Sequence, residues 1–309
     1  MYYPYLRGRQ FELIALRDFA ETLQMESEVF PIIEPVRQNL NSLKKAASTM
    51  TEKRIKYGII LNPEYGDFAN QIIALSEEDF PSTDCWSPSF ILGKQSINSI
   101  AGIIHDNSYE NVILILPKGA SVNEEELISL IGDGAITKII TDPMRRKIVR
   151  ATKNCGKEVI ELGEKFNTQQ TNQDYTSIDE EEFSEEFAYF KDEGYAGFAD
   201  YTVLPNEFRE GGTLPKVVVI HLTYQKSEDN IYIKHFCSDT NQEDKSNIQG
   251  KFAEAARKAI SFFDSINYNS PALDNLRKYL SNGTFPGLGV LKKISILHHL
   301  YLLQTILSE

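Results

Sequence analysis

The sequence predicts an α/β chain built as an irregular, TIM-like (β/α)8 barrel, with an N-terminal helix before it and a helical tail after it. Three observations carry that expectation. Short β-branched runs recur along the chain, and most are almost continuously apolar, as in NVILILPKG (111–119) and KVVVIHLTY (216–224). Such runs mark strands covered on both faces, the condition of a parallel sheet. Between them lie segments of helical periodicity, and a unit of roughly 20 to 30 residues is that of repeated βα modules.

Taken in order, QFELIALRDFAETLQ (10–24) places Phe11, Ile14, Ala15, Leu16 and Phe19 at helical spacing, which predicts the leading helix. Eight candidate strands follow, at 29–36, 57–63, 87–94, 111–119, 136–143, 157–163, 197–203 and 216–224. Helix-like segments occupy 39–54, 67–77, 95–105, 122–132 and 144–154. The acidic stretch 168–186, with DEEEFSEEF near its end, reads as a solvated loop running into a helix start, where carboxylates suit the dipole. Residues 204–215 are too few for a covering helix between the last two strands. After them QKSEDN makes a turn and IYIKHFC (231–237) a partner strand, forming a hairpin. An open mixed sheet with antiparallel strands at its end would also accommodate this; the irregular barrel is preferred. Helices near 250–264, 271–281 and 288–307 make the tail. The expected domains are therefore a barrel with its N-terminal helix and terminal hairpin over 1–249, and a helical extension packed on it over 250–309.

Composition bounds the function. The 309 residues are enough for one such barrel with a full core. A net charge of −12 argues against broad binding to duplex nucleic acid, although it leaves room for a local basic cleft. Three widely spaced cysteines, Cys85, Cys155 and Cys237, indicate neither a disulfide framework nor a zinc knuckle. The start MYYPYLRGRQ lacks a signal-peptide profile, and Lys292, Lys293, His298 and His299 interrupt the most apolar late segment, so a cytoplasmic protein without membrane association is expected. G-x-S-x-G, P-loop, H-E-x-x-H and G-x-G-x-x-G signatures are missing, which lowers the serine-hydrolase, P-loop and dinucleotide readings.

Catalytic groups of a (β/α)8 barrel gather at the C-terminal ends of its strands. Read there, the sequence offers Glu34, Asn62 with Glu64, Lys94, Lys118, Asp142, Glu161, Asp200 with Tyr201, and His221 with Thr223. Glu34, Asp142, Asp200 and His221 are the candidate catalytic groups, and Glu34, Asp200 and His221 a candidate ligand set for Mg²⁺ or Mn²⁺. Lys94, Lys118 and Arg209 suit an anion, most simply phosphate, whose backbone contacts Gly211 and Gly212 would ease. Tyr201 and Thr223 complete the substrate-binding set. Strands disfavour Asp, so Asp200 calls for a dedicated partner. His235 on the hairpin can face His221, and a lone histidine on an apolar strand is often a hydrogen-bonded core residue. Arg146 and Arg150 share one face of the helix 144–154, either as a solvated surface or as a contact for phosphate or an acidic partner.

YYPYLRGRQFELIALRDF, PIIEPV, GFADYTV and the EGG…P…IHLTY run resemble the bacterial "beta protein" family, and more closely its sister group of bacterial proteins. The resemblance runs from Met1 to about Phe252. It implies a barrel, a phage-related, mobile or defence-associated locus, and a neighbouring gene for a nuclease. The matching positions are Arg7, Gly8, Gln10, Glu12, Glu34, Asp200, Tyr201, Gly211, Gly212, His221, Thr223 and Tyr224. It assigns no catalytic role. The N-terminal segment with Arg7 and Glu12 is expected to cap one mouth of the barrel or to form structural ion pairs. Two functions follow as expectations: a metal-assisted enzyme acting on a phosphoester or nucleotide-like ligand, or a non-catalytic barrel that binds a protein partner such as a nuclease.

Overall fold

The apolar runs pair side by side in chain order. The computed structural model describes residues 1–75, 80, 84–209, 211, 214–240 and 242–309. Among these, eight parallel strands close a barrel: β1 (Tyr2–Leu6), β2 (Ile32–Ile33), β3 (Tyr57–Ile60), β4 (Trp86–Ile91), β5 (Val112–Leu116), β6 (Ile136–Thr141), β7 (Glu158–Leu162) and, after an intervening β8 (Glu180–Ser184), β9 (Gly197–Asp200). β9 pairs with both β7 and β1, with Tyr2 opposite Phe198 and Pro4 opposite Asp200. The predicted fold class is therefore the observed one, with two corrections to its strands.

First, YYPYL is itself a barrel strand, not a cap on the mouth. A proline inside a run argues against a central strand, yet here the strand is held through other positions: Tyr2 N–H donates to Glu28 O, Phe30 N–H to Tyr2 O and Glu34 N–H to Leu6 O. Second, the run 216–224 is not the eighth barrel strand. Its β10 (Val219–Ser227) pairs antiparallel with β11 (Asn230–Cys237), which pairs in turn with β8 in a separate three-stranded sheet. A run covered on both faces is apolar whichever sheet holds it, so periodicity could not separate the two cases.

Helices α1 (Gln10–Thr22), α2 (Asn41–Glu52), α3 (Ile97–Asp106), α4 (Glu124–Ile131) and α5 (Arg146–Asn154) fall where the periodicity places them. The predicted helix 67–77 does not form in its described part, where only the short 3-10 turn Gly66–Phe68 is present; 76–77 lie outside the described residues. The acidic stretch is not a loop entering a helix. It supplies β8 and only then α6 (Glu186–Tyr189). Its charges explain the strand, because Glu180 receives Lys226, Lys234 and the Tyr224 hydroxyl, while Lys234 also meets Asp179. Burial alone would raise the Glu180 carboxyl; Lys226 and Tyr224 outweigh it and hold it down at about 2.

The chain forms two compact units. One comprises Met1–Leu13, Leu23–Glu164 and Tyr189–Asp200 and contains the whole barrel. The other comprises Ile14–Thr22, Lys165–Ala188 and Tyr201–Glu309, with the three-stranded sheet and α7 (Ile248–Ser265), α8 (Pro271–Ser281) and α9 (Leu288–Ser308). In this second unit Phe262 of α7 packs on Tyr224 and Phe236, and His298 of α9 reaches the Thr223 carbonyl at 2.7 Å. Lys251 is fully buried in α7, its ammonium donating to the carbonyls of Lys216 and Asp244 at 2.7 Å each. Among the described residues no helix is long and apolar enough to cross a membrane.

Alternation along the strands sorts the barrel's side chains. A Cβ placed on Gly58 would meet Ser89 Oγ at 2.6 Å, Ile32 Cδ1 at 2.8 Å and Ile113 Cδ1 at 3.5 Å. Ile113 lies two strands away on β5, so these side chains fill the interior of the barrel. Register then places Tyr5, Ile32 and Gly58 inward together. Tyr2, Phe198 and Asp200 face outward, where Phe198 meets Phe190 at 5.6 Å. The small interior residue at 58 is required by this packing. Gly58→Ala should destabilise the protein by about 1–3 kcal/mol through overpacking, read as a lower urea midpoint with unchanged binding of β1 to its neighbours in hydrogen exchange; an unchanged midpoint would sink the interior assignment.

Candidate functional site

The barrel's C-terminal mouth carries one continuous polar cluster, at the exits of β1 to β4. Glu34, immediately after β2, is fully buried. Its Oε2 accepts from the Tyr5 hydroxyl at 2.9 Å and lies 3.4 Å from Arg7 Nε, while its Oε1 accepts from the Glu64 backbone N–H at 2.7 Å. The loop after β3 brings Glu64 and Tyr65 to this point. Gly66 fixes the turn, since its φ of +75° suits glycine and a Cβ there would lie 2.1 Å from Val36 O. The Tyr65 ring then stands beside two cations, with the Arg7 guanidinium 5.0 Å and the Lys94 ammonium 5.3 Å from its centroid.

Lys94, from the loop after β4, lies 3.9 Å from Glu64 Oε2 and donates to the Glu64 carbonyl at 3.4 Å. Asn62 continues the β3–β4 ladder with its side chain: its amide donates to Ile91 O and accepts from Ile91 N–H, both at 2.8 Å, and its Nδ2 also reaches Gln95 Oε1 at 3.3 Å. Behind the cluster, Glu12 accepts from the Arg7 backbone N–H at 2.6 Å. Burial raises the Glu12 carboxyl above its ordinary value against the pull of Arg9 and Arg7. Burial likewise raises Glu64, Lys94 opposes the rise and Glu34 adds to it. The result is a partly exposed carboxylic acid that holds its proton to higher pH than usual, between a half-exposed ammonium and a buried carboxylate.

The other expected site residues are distributed elsewhere. Lys118 is exposed on the loop after β5. Asp142 accepts from the Met144 N–H at 2.8 Å, a turn that leads into α5. Asp200 has its dedicated partner in Tyr2, whose hydroxyl donates to Oδ1 at 2.5 Å, on the outward face of the barrel wall. Tyr201, Arg209, Gly211, His221 and Thr223 belong to the second unit. Arg209 pairs with Glu207 two residues before it, and Thr223 Oγ1 lies 2.9 Å from His299 Nδ1. Gly212 lies outside the described residues, as does Glu210.

His221 and His235 do face each other, opposite one another in register with their Nδ1 atoms 2.8 Å apart. His235 Nε2 lies 3.1 Å from Glu181, and the Tyr175 ring packs on both imidazoles at 4.7 Å. Glu34, Asp200 and His221 are thus engaged in three separate local arrangements. Among the described residues no group of three or more His, Cys, Asp or Glu side chains is placed to hold a metal ion.

In the block of residues after β3, strand-end reading reaches Asn62 and Glu64 but passes over Tyr65. Arg7 and Glu12 are reached only through the family resemblance. Tyr65 carried no signal, because an aromatic in a loop has no periodicity to read. No protein-family model matches the chain, and no curated protein matches it significantly in sequence.

Burial first, then His235 and Lys292, lower the His221 imidazole to about 3, and burial lowers His298 to about 4. The unfolded chain takes up protons at its ordinary 6.5 while the fold resists them. The stability that these two histidines provide is therefore complete above pH 6.5 and is lost progressively as pH falls toward 4 and then 3. Denaturation midpoints followed across this window should fall with acid, and His221→Phe, which keeps the ring contacts, should flatten the dependence by up to about 1.4 kcal/mol per pH unit. An identical slope in that variant would contradict a neutral, buried His221.

Proposed function

We propose that the C-terminal mouth of the barrel is an enzyme site for a small phosphoester or nucleotide-like ligand, with Lys94 and Arg7 binding the anion and Glu64 transferring a proton. The observation that carries this reading is the array around Tyr65, in which a carboxyl with a raised proton affinity sits between an ammonium and a buried, hydrogen-bonded carboxylate. Active sites place acids in such surroundings because burial tunes the group toward the working pH. The location supports it as well, since loops after barrel strands assemble sites at this end. Glu34, held by Tyr5, Arg7 and the Glu64 N–H, serves here as the fixed charge that orients Arg7 and lifts Glu64. The metal-assisted variant has less support, because each of its three intended ligands is engaged by local partners of its own. The resemblance to the "beta protein" family and its sister group supports placing this activity in a phage-related or defence-associated locus, beside a nuclease.

The test is turnover against a panel of phosphomonoesters and nucleotides, following release of phosphate or base. Wild-type activity should fall about a hundredfold or more in Glu64→Gln, the scale of general acid–base catalysis, while Lys94→Ala should mainly raise KM. Lys94 is half exposed, so its loss leaves the fold intact. A wild-type protein inert across the panel, or a Glu64→Gln enzyme as fast as wild type, would reject the reading.

A further inference from the structure

A second place in the barrel unit has the make-up of a ligand site, on the outer flank of α5. A pocket of about 500 Å³ opens there, with Arg146, Arg150 and Lys153 along one side and Met144, Val149 and Tyr195 among the others. The three cations recur at i, i+4 and i+7, so they form one row on the helix. No carboxylate lines the pocket. In a chain with 44 acidic and 32 basic residues, such a row is the reverse of the average surface.

The neighbouring cations show what makes Arg146 and Arg150 different. Lys147 is paired with Glu124 at 3.0 Å, Arg145 donates to the Ala120 carbonyl, and Lys153 donates to the Glu193 carbonyl at 3.1 Å with its ammonium 4.7 Å from the Tyr195 centroid. Arg146 and Arg150 are exposed, and no hydrogen bond or ion pair engages either of them among the described residues. Topology explains the opening. On one flank α5 packs against α4, as in any barrel of this class. On the other, the part of the barrel unit between β7 and β9 is limited to residues 163–164 and 189–196, where a full helix would ordinarily lie. That segment reaches the C-terminal end of α5 through Lys153, and the first two turns are left bordering the pocket.

We propose that this pocket binds a phosphate ester of nucleotide size, its phosphates held by Arg146 and Arg150 and its apolar portion resting on Met144 and Tyr195. Two guanidinium forks one helical turn apart match a single phosphate or two adjacent ones, and Arg binds phosphate in the bidentate manner that a lysine lacks. The volume lies within the range of small-molecule sites, roughly 300–1,000 Å³. Met144 is 74% exposed and Tyr195 half-buried, so the pocket has an apolar wall next to its cationic one. An acidic protein segment would use the same charges, but two guanidinium forks one turn apart beside Met144 and Tyr195 match a phosphate carrying an apolar portion more closely.

The test is equilibrium binding of ADP to the full chain by calorimetry, with inorganic phosphate and poly-glutamate as comparison ligands. ADP should bind more tightly than phosphate, and weaken at least about tenfold in Arg146→Ala/Arg150→Ala, the cost of losing charge-assisted hydrogen bonds. Arg146→Lys/Arg150→Lys should recover only part of the loss. Both side chains are exposed, so the fold should survive; equal thermal midpoints would confirm that. Measured in a Lys94→Ala background, where anion binding at the barrel mouth is weakened, the loss caused by Arg146→Ala/Arg150→Ala should be the same size, which separates the two sites. Absence of ADP binding, equal affinity in the double alanine variant, or displacement by poly-glutamate with no affinity for ADP would each overturn the proposal, the last in favour of an acidic protein partner.

Discussion

The barrel depends on the seam between β1 and β9. Seven strands in chain order would leave a twisted parallel sheet with two open edges, each a row of unpaired backbone groups. β1 lies between β9 and β2, and three residues of it meet three residues of β9 in register. The seam is held on its outer side by the Tyr2 hydroxyl on Asp200 and by the Tyr2–Phe198 ring contact at 5.2 Å. On its inner side Gly197 leaves room for Tyr3, since a Cβ there would lie 2.6 Å from that ring. The seam also fixes the mouth. The chain leaving β1 delivers Arg7 to Glu34, and Glu34 receives the N–H of Glu64. A shift of β1 by one residue would turn Tyr5 and Arg7 away from that carboxylate.

Much of this was legible in the sequence, for identifiable reasons. A parallel strand buried on both faces is an unbroken apolar run, and VILIL cannot be read as much else. The helices between are recorded in a second period. The failures also have causes. YYPYL hides its strand because tyrosines can serve either face of a wall and Pro4 reads as a break. KVVVIHLTY has the composition of a barrel strand because α7 covers one face of its sheet and Tyr175 the other. DEEEFS looks like solvent-facing chain until the lysines of the opposing hairpin are seen, at Lys226 and Lys234, more than forty residues away. Those partners are long-range, and no local pattern records them.

The site was half legible for the same reason. Strand ends point to where a site can be, and Glu34, Asn62, Glu64 and Lys94 were found by that rule. Which of the strand-end groups share a cavity is a matter of the two faces of each strand. Asp200 sits one residue out of phase with the interior, so its carboxylate belongs to the outer wall and to Tyr2. His221 ends a run that pairs in another sheet, and its partner is the cross-strand His235. The polar residue that a buried strand tolerates is one already satisfied, which is why a conspicuous Asp or His in an apolar run is weak evidence of chemistry.

The cations at the mouth and on α5 differ in what a ligand must displace. At the mouth Arg7 and Lys94 already lie beside Glu34 and Glu64. An incoming anion therefore competes with carboxylates, and its charge, set beside Glu64, favours the protonated form of that acid. On the proposed reading, binding there is coupled to proton uptake, because a ligand that draws Lys94 from Glu64 removes the influence that Lys94 exerts against the carboxyl's raised proton affinity. The acid would thus gain its proton with the arrival of the group it is proposed to act upon. On α5 no carboxylate lines the pocket, and Glu161, Glu193 and Asp142 act on it only from behind Tyr195. A chain with an excess of carboxylates has paired its cations at the mouth and left Arg146 and Arg150 exposed on α5, and only the first arrangement would link binding to the proposed chemistry.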